Sequence, residues 1–230
     1  MIFLKNKWGE LLKKNISIYA KGRPKRGMFI DEYLRSESSL SDNLSCLEQG
    51  AFSAKDSLYL KLVFPKWRCT ATDKDIDVVN HIREVGLEGG QEDAFKLSFE
   101  ESKFEITFQS GLIILFSDQQ ALEIIKEQLR VTSKISFIFA HNKHNYIDRV
   151  ISFLKRKIMK RDIYTYRCYS ESTLKEIALS LGCKYEIFHH DNMMVNFSGR
   201  HCLWLKPIIL KLGIDKYRYL ANELVLVLHK

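Results

Sequence analysis

The chain has 230 residues, 46% of them hydrophobic and 28% charged, with a formal net charge of +8. That length holds one α/β domain with a substantial core, but not two full domains and a linker. No apolar run approaches the roughly 20 residues that span a bilayer, and Met1 to Lys14 lacks a continuous apolar stretch and a small-residue cleavage site, so a cytoplasmic protein is expected.

Five cysteines (Cys46, Cys69, Cys168, Cys183, Cys202) are scattered without a Cys-x-x-Cys pair, which signals neither a disulfide framework nor a zinc site. The positive charge is local. Between Asn142 and Ser170 stand eight Lys/Arg (Lys143, Arg149, Lys155, Arg156, Lys157, Lys160, Arg161, Arg167) against Asp148 and Asp162.

In chain order, Met1 to Glu37 is basic, with helical spacing at Trp8, Leu11 and Leu12, a breaker at Gly22 to Pro24, and a second apolar stretch from Met28 to Leu34. Residues 1–42 are expected to form a short helical extension, and 43–230 the main domain. Strands are predicted at Asn43 to Glu48, Arg68 to Thr72, Phe104 to Gln109, Ile135 to Ala140, Tyr185 to His189 and Glu223 to Leu228. Helices are predicted at Lys55 to Val63, Ile76 to Val85, Asp118 to Leu129, Tyr146 to Met159 and Ser172 to Leu181, where apolar residues recur at three and four. Such alternation implies βαβ units, a mostly parallel sheet and helices on both faces, with ligands at the carboxyl ends of the strands.

The first strand runs into Leu47-Glu48-Gln49-Gly50-Ala51-Phe52-Ser53-Ala54 and then a helix. Such a turn presents backbone N–H groups to a polar ligand, although a single glycine there equally suits a plain turn. The second strand closes on Asp73, about 25 residues further on, where nucleoside-binding α/β folds place an acid for ribose hydroxyls.

The ordered set Leu47-Glu48-Gln49-Gly50, Asp73, Asp93-Ala94 with Leu97-Ser98-Phe99, and Phe104-Glu105 resembles the class I S-adenosylmethionine (SAM) dependent methyltransferases, specifically the type 11 domain. The likeness continues through Tyr169 to Glu176, Leu181-Gly182-Cys183 and Leu224 to Lys230, so it covers the chain from about Asn43 onward. It implies a Rossmann-like, seven-stranded, mostly parallel sheet and SAM as cofactor, with S-adenosylhomocysteine as product. It implies further that Glu48, Gln49, Gly50 and Phe52 lie along the cofactor, Gly50 at its methionine part, and that Asp73 with Lys74 meets the ribose. Asp93 and Ala94 would contact adenine, and Gln109 and Ser110 would line the methionine side. Two departures stand out: the family's glycine loop has glycines at alternate positions where this chain has Phe52 and Ala54, and Glu105 replaces the usual aspartate.

On the acceptor side, Ala140-His141-Asn142-Lys143-His144-Asn145 forms a polar cluster after the fifth strand. His141 or His144 fits a general base and Asn142 an acceptor contact; helix capping explains the same residues. Tyr19 is placed, by position only, in an N-terminal lid. No metal-ligand spacing is evident, and His189-His190-Asp191 suits a strand end better than a metal cluster. The basic helix from Arg149 to Arg161 suits a solvated face, an anion-attracting rim, or a peripheral contact with an anionic membrane. The leading expectation is methyl transfer to an oxygen or nitrogen of a small-molecule or sugar-containing acceptor. The alternatives are a methyltransferase-fold binding protein without catalysis, and an RNA methyltransferase.

Overall fold

The computed structural model describes residues 22–37, 43–147, 150, 166–214 and 217–230. Tyr19, the helical spacing around Trp8, and most of the helix predicted from Tyr146 to Met159 lie outside them.

The elements follow as α1 (Lys25–Ser36), β1 (Ser45–Gln49), α2 (Lys55–Val63), β2 (Arg68–Asp73), α3 (Ile76–Glu84), β3 (Glu88–Gln91), β4 (Phe104–Ser110), α4 (Asp118–Val131), β5 (Thr132–His141), α5 (Glu171–Ser180), β6 (Lys184–Asn192), α6 (Met193–His201), α7 (Leu205–Lys211) and β7 (Ala221–His229). The seven strands form one sheet in the order β3-β2-β1-β4-β5-β7-β6. Neighbouring strands from β3 through β5 pair in parallel, whereas β7 enters antiparallel between β5 and β6. The direction of strand succession reverses between β1 and β4, and the crevice beyond the carboxyl ends of these two strands is where open α/β sheets hold ligands.

Alternation along the strands sorts the core into two layers. Phe137 and Phe139 of β5 and Val225 and Val227 of β7 face one side, where they meet Ile30, Tyr33 and Leu34 of α1, Leu60 of α2 and Val78 and Ile82 of α3. Ile138, Ala140, Leu224, Leu226 and Leu228 face the other, against Ala121, Ile124 and Ile125 of α4 and Leu174 and Ala178 of α5. Each fully buried Leu, Ile, Val or Phe among them contributes about 1.5–3 kcal/mol. Helix starts are written into the sequence: Ser117 and Gln120 form a capping box at α4, Asp75 caps α3, Ser170 caps α5, and Asn192 accepts from the N–H groups of Met194 and Val195 at α6.

The structure adds three elements to those predicted. The seventh strand, β3, reads Glu-Gly-Gly-Gln and pairs with the outer edge of β2. A Cβ on Gly89 would stand 3.0 Å from Arg83 Cγ and 3.1 Å from Ile82 Cγ2, so the approach of α3 to this strand suits glycine, which carries no strand signal. Helices α6 and α7 fill the connection between β6 and β7.

Candidate functional site

β1 ends at Gln49, and the chain then turns into α2 through Gly50 (φ +65°), Phe52 (φ +47°) and Ala54 (φ +48°). These are the three alternate positions where the family resemblance places glycines, and all three are left-handed although two carry side chains. For an L-residue that conformation costs on the order of 1–2 kcal/mol. Hydrogen bonds hold the loop in it: Ala51 N–H donates to Thr72 O (2.9 Å), Phe52 N–H to Asp73 Oδ2 (3.2 Å) and Ala54 N–H to Ala51 O (2.8 Å). Ala54 is buried and Phe52 packs, partly buried, against the core shared with α1 and α2. At Gly50 a Cβ would stand 2.9 Å from Leu112 Cδ1, so a side chain there would have to displace the tip of Leu112.

Ala54 is the N-cap of α2 and has no side-chain acceptor to give. Glu48 supplies one from the strand: its Oε2 accepts from Ser57 N (3.2 Å) and Ser57 Oγ (2.7 Å). The resemblance places Glu48 along the cofactor; here its carboxyl is buried and engaged with α2. Burial and the neighbouring Asp56 carboxylate push its pKa up to about 8, against the Ser57 hydrogen bonds and Arg26.

Asp73 closes β2 with both oxygens bound to backbone, Oδ2 to Phe52 N–H and Oδ1 to Asp75 N–H (3.0 Å). Burial lifts its pKa, and these N–H donors oppose the shift. Each oxygen keeps a further lone pair for an incoming hydroxyl. Beside it, exposed Lys74 donates to Asp93 Oδ2 at 2.7 Å, and Phe95 N–H donates to Asp93 Oδ1 at 3.1 Å. Burial pushes Asp93 upward, but Lys74 and the Phe95 N–H outweigh it and hold the carboxyl below its ordinary value. Ala94 offers its carbonyl to Gln49 Nε2 (2.9 Å).

At the switch point, Gln49 of β1 and Gln109 of β4 stand in register. Gln109 Oε1 accepts from Leu112 N (2.6 Å) and Ile113 N (3.3 Å). Three buried polar atoms here, Gln49 Oε1, Gln109 Nε2 and Ser110 Oγ, have no hydrogen-bond partner among the described residues. An unpaired buried polar atom costs about 1–3 kcal/mol. Three of them at the ends of adjacent strands mark a place prepared for a polar ligand. Glu105, the other departure from the family pattern, sits at the opposite edge, where it accepts from Ser45 N (2.7 Å) and joins the start of β1 to β4.

The other half of the carboxyl edge is built from titratable side chains around one ion pair. His141 of β5, Glu223 of β7 and His190 of β6 lie in one row, since Glu223 pairs with both histidines, and cross-strand partners share a face. Arg26 from α1 grips the Glu223 carboxylate with Nε (3.1 and 3.2 Å) and Nη2. Burial raises Glu223, but Arg26 holds it below its ordinary value. Burial also depresses His190, whose Nε2 is a further buried atom without a partner, and its ring lies against Phe29 (5.1 Å between centroids) and Phe139 (5.9 Å). Gly27, next to Arg26, donates its N–H to Asp56 Oδ1 (2.9 Å), and its missing Cβ would stand 2.8 Å from Asp56 O, which fixes α1 over the start of α2.

Of the acceptor-side residues singled out from sequence, His141 falls in this row, with its ring 4.5 Å from that of Tyr166. His144 lies further out, near Tyr146 and Tyr219. Asn142 is buried: Nδ2 donates to Arg218 O (2.7 Å) and Ala221 O (3.0 Å), while Oδ1 accepts from His144 N (2.9 Å), so it ties the β5 loop to the start of β7. His189 and His190 lie within β6, which runs on to Asn192, and their side chains part company there, His189 bonding Glu171 at 3.1 Å. Arg26, His190 and Glu223 were not singled out beforehand. The one signal for Glu223 is a carboxylate opening an otherwise apolar alternation, Glu-Leu-Val-Leu-Val-Leu.

No protein-family model and no curated protein sequence matches the chain. Solved structures do. The methyltransferase in complex with the Trm112 activator of Haloferax volcanii superposes with a TM-score of 0.66 at 13% identity, over 97% of each chain. Magnesium protoporphyrin IX methyltransferase from Synechocystis PCC 6803, with bound S-adenosylhomocysteine, gives 0.61 at 10% identity over 89% of this chain and 82% of that one. A SAM-dependent methyltransferase from Archaeoglobus fulgidus gives 0.61 at 13% identity over 89% and 94%. The fold is that of the class I SAM-dependent methyltransferases.

Proposed function

We propose that the protein is a SAM-dependent methyltransferase acting on an oxygen or nitrogen of a small-molecule or sugar-containing acceptor. The observation that carries this reading is the set of unpaired buried atoms, Gln49 Oε1, Gln109 Nε2 and Ser110 Oγ, beside the left-handed loop at the switch point of a methyltransferase-type sheet. Gln49 Oε1 suits an ammonium donor and Gln109 Nε2 a carboxylate acceptor, which matches the methionine end of SAM; Asp73 suits vicinal hydroxyls, and the Asp93–Ala94 segment an adenine edge. When bound, SAM supplies an electrophilic methyl on a sulfonium, and its transfer in line depends above all on positioning. Phe52 favours catalysis over a binding-only role, because its ring packs against the core.

The acceptor belongs beside the His141–Glu223–His190 row. His141 or His190 accepts the proton released by the acceptor hydroxyl or amine, and the adjacent Glu223 carboxylate, kept ionised by Arg26, stabilises the imidazolium that results. His144 borders the entrance, with Asn142 holding the β5 loop in place. Calorimetry with S-adenosylhomocysteine tests the cofactor half directly: binding is expected, and no heat or thermal shift at millimolar ligand would sink the reading.

A further inference from the structure

Helix α7 buries a single side chain, Ile209. Around it, Leu203 and Trp204 are 73% and 70% exposed, Leu212 is 67% exposed, and Ile208 and Leu210 also face outward. A helix and its flanks this apolar ordinarily lie inside a protein. Among the described residues nothing covers them. The excursion holding them leaves the sheet at Asn192 and returns at Ala221, both at the edge where the site lies, and Asn192 Nδ2 pins its far end through Ile214 O at 2.9 Å.

The exposed apolar surface continues toward the site. Tyr217 and Tyr219 (6.3 Å between centroids) lead to His144 and then Tyr146, at 6.2 and 6.4 Å, and Ile147 and Val150 follow, exposed. Charge along the described part of it is positive, with Lys206, Lys211 and Arg218 and no acid from Met193 to Ile214 or from Tyr217 to Leu220. Leucine, tryptophan and tyrosine interspersed with lysine and arginine, almost without acids, are complementary to the interface of an anionic bilayer, where rings and aliphatic chains enter the headgroup layer and cations meet lipid phosphates.

We propose that the α6–α7 excursion, with Tyr217, Tyr219 and Tyr146, docks the protein on an anionic lipid surface, with the carboxyl edge of the sheet turned toward the membrane. This goes beyond methyl transfer and does not depend on it. The test is flotation of the full chain with vesicles of phosphatidylcholine alone or mixed with phosphatidylglycerol, at low and high salt. Binding to the mixed vesicles is expected, weakened by salt and weakened about tenfold or more by the triple substitution L203A/W204A/L212A. Lys206→Glu with Lys211→Glu should weaken it further at low salt. Thermal melting of each variant verifies that it is folded, and S-adenosylhomocysteine binding, read separately, reports on the methyltransferase assignment. Failure to float with mixed vesicles at low salt overturns the proposal. So does flotation that the triple substitution leaves unchanged, retention on RNA but not on vesicles, or self-association through this surface.

Discussion

The two halves of the carboxyl edge solve different problems by different means. Around β1 and β2 the site is built on backbone: a left-handed loop pinned to Thr72 and Asp73, with Asp73 in turn tied to main-chain N–H groups. Around β5, β6 and β7 it is made of side chains, the Arg26–Glu223 ion pair and two histidines, gathered from α1 and three strands. A fixed geometry suits a cofactor whose shape is always the same, whereas side chains and insertions suit an acceptor that differs from enzyme to enzyme.

The largest effect is expected on the ionic half. Arg26→Ala strands the Glu223 carboxylate beside Glu48 and Asp56, and should cost about 3–5 kcal/mol in urea unfolding. Arg26→Met with Glu223→Gln should recover much of that loss; a double variant as unstable as the single one would mean that Arg26 acts by packing alone. In the backbone half, Asp73→Ala removes the proposed acceptor of ribose hydroxyls together with an anchor of the loop. Affinity for S-adenosylhomocysteine should fall about a hundredfold by calorimetry.

Glu48 lies where the halves meet, and its titration sharpens the contrast. Its folded pKa is raised from 4.5 to about 8, so the folded state holds a proton that the unfolded chain releases. This group's contribution to stability is therefore complete at pH below 4.5 and declines as pH rises toward 8. Glu48→Gln keeps an acceptor for Ser57 and should flatten that decline; melting curves of the two proteins that stay parallel across this range would refute the assignment. The smallest expected effect is that of Ala54→Gly, which relieves a left-handed alanine and should stabilise the fold by about 1 kcal/mol in chemical denaturation.

How far the sequence shows these features follows the same division. β1, β2 and β4 through β7 announce themselves by runs of apolar and β-branched residues, and α4 by its Ser117–Gln120 box. Asp73 and Gln109 are visible because each stands at the end of a recognisable strand, and Asp93 because the Asp93-Ala94 pair ahead of Leu97-Ser98-Phe99 resembles the family's. β3 escapes notice because two glycines, one of them closely approached by α3, stand where a strand would show valine. The ionic row is invisible for another reason: Arg26 and Glu223 are brought together only by sheet order, and His190 meets them only through the antiparallel register of β7. Local pattern carries no record of contacts of that kind. Helices α6 and α7 are hidden differently, since α7 lacks the polar face that would have given it a period.

The left-handed loop has a consequence for the thermodynamics of ligand capture. A run of glycines is free to wander in the unliganded protein and must be stilled whenever a ligand arrives. Here Phe52 and Ala54 narrow the conformations open to the loop, and the bonds to Thr72 and Asp73 select one of them beforehand. The entropy is lost once, when the chain folds, and association should then show a smaller entropic penalty than a glycine-rich loop would impose.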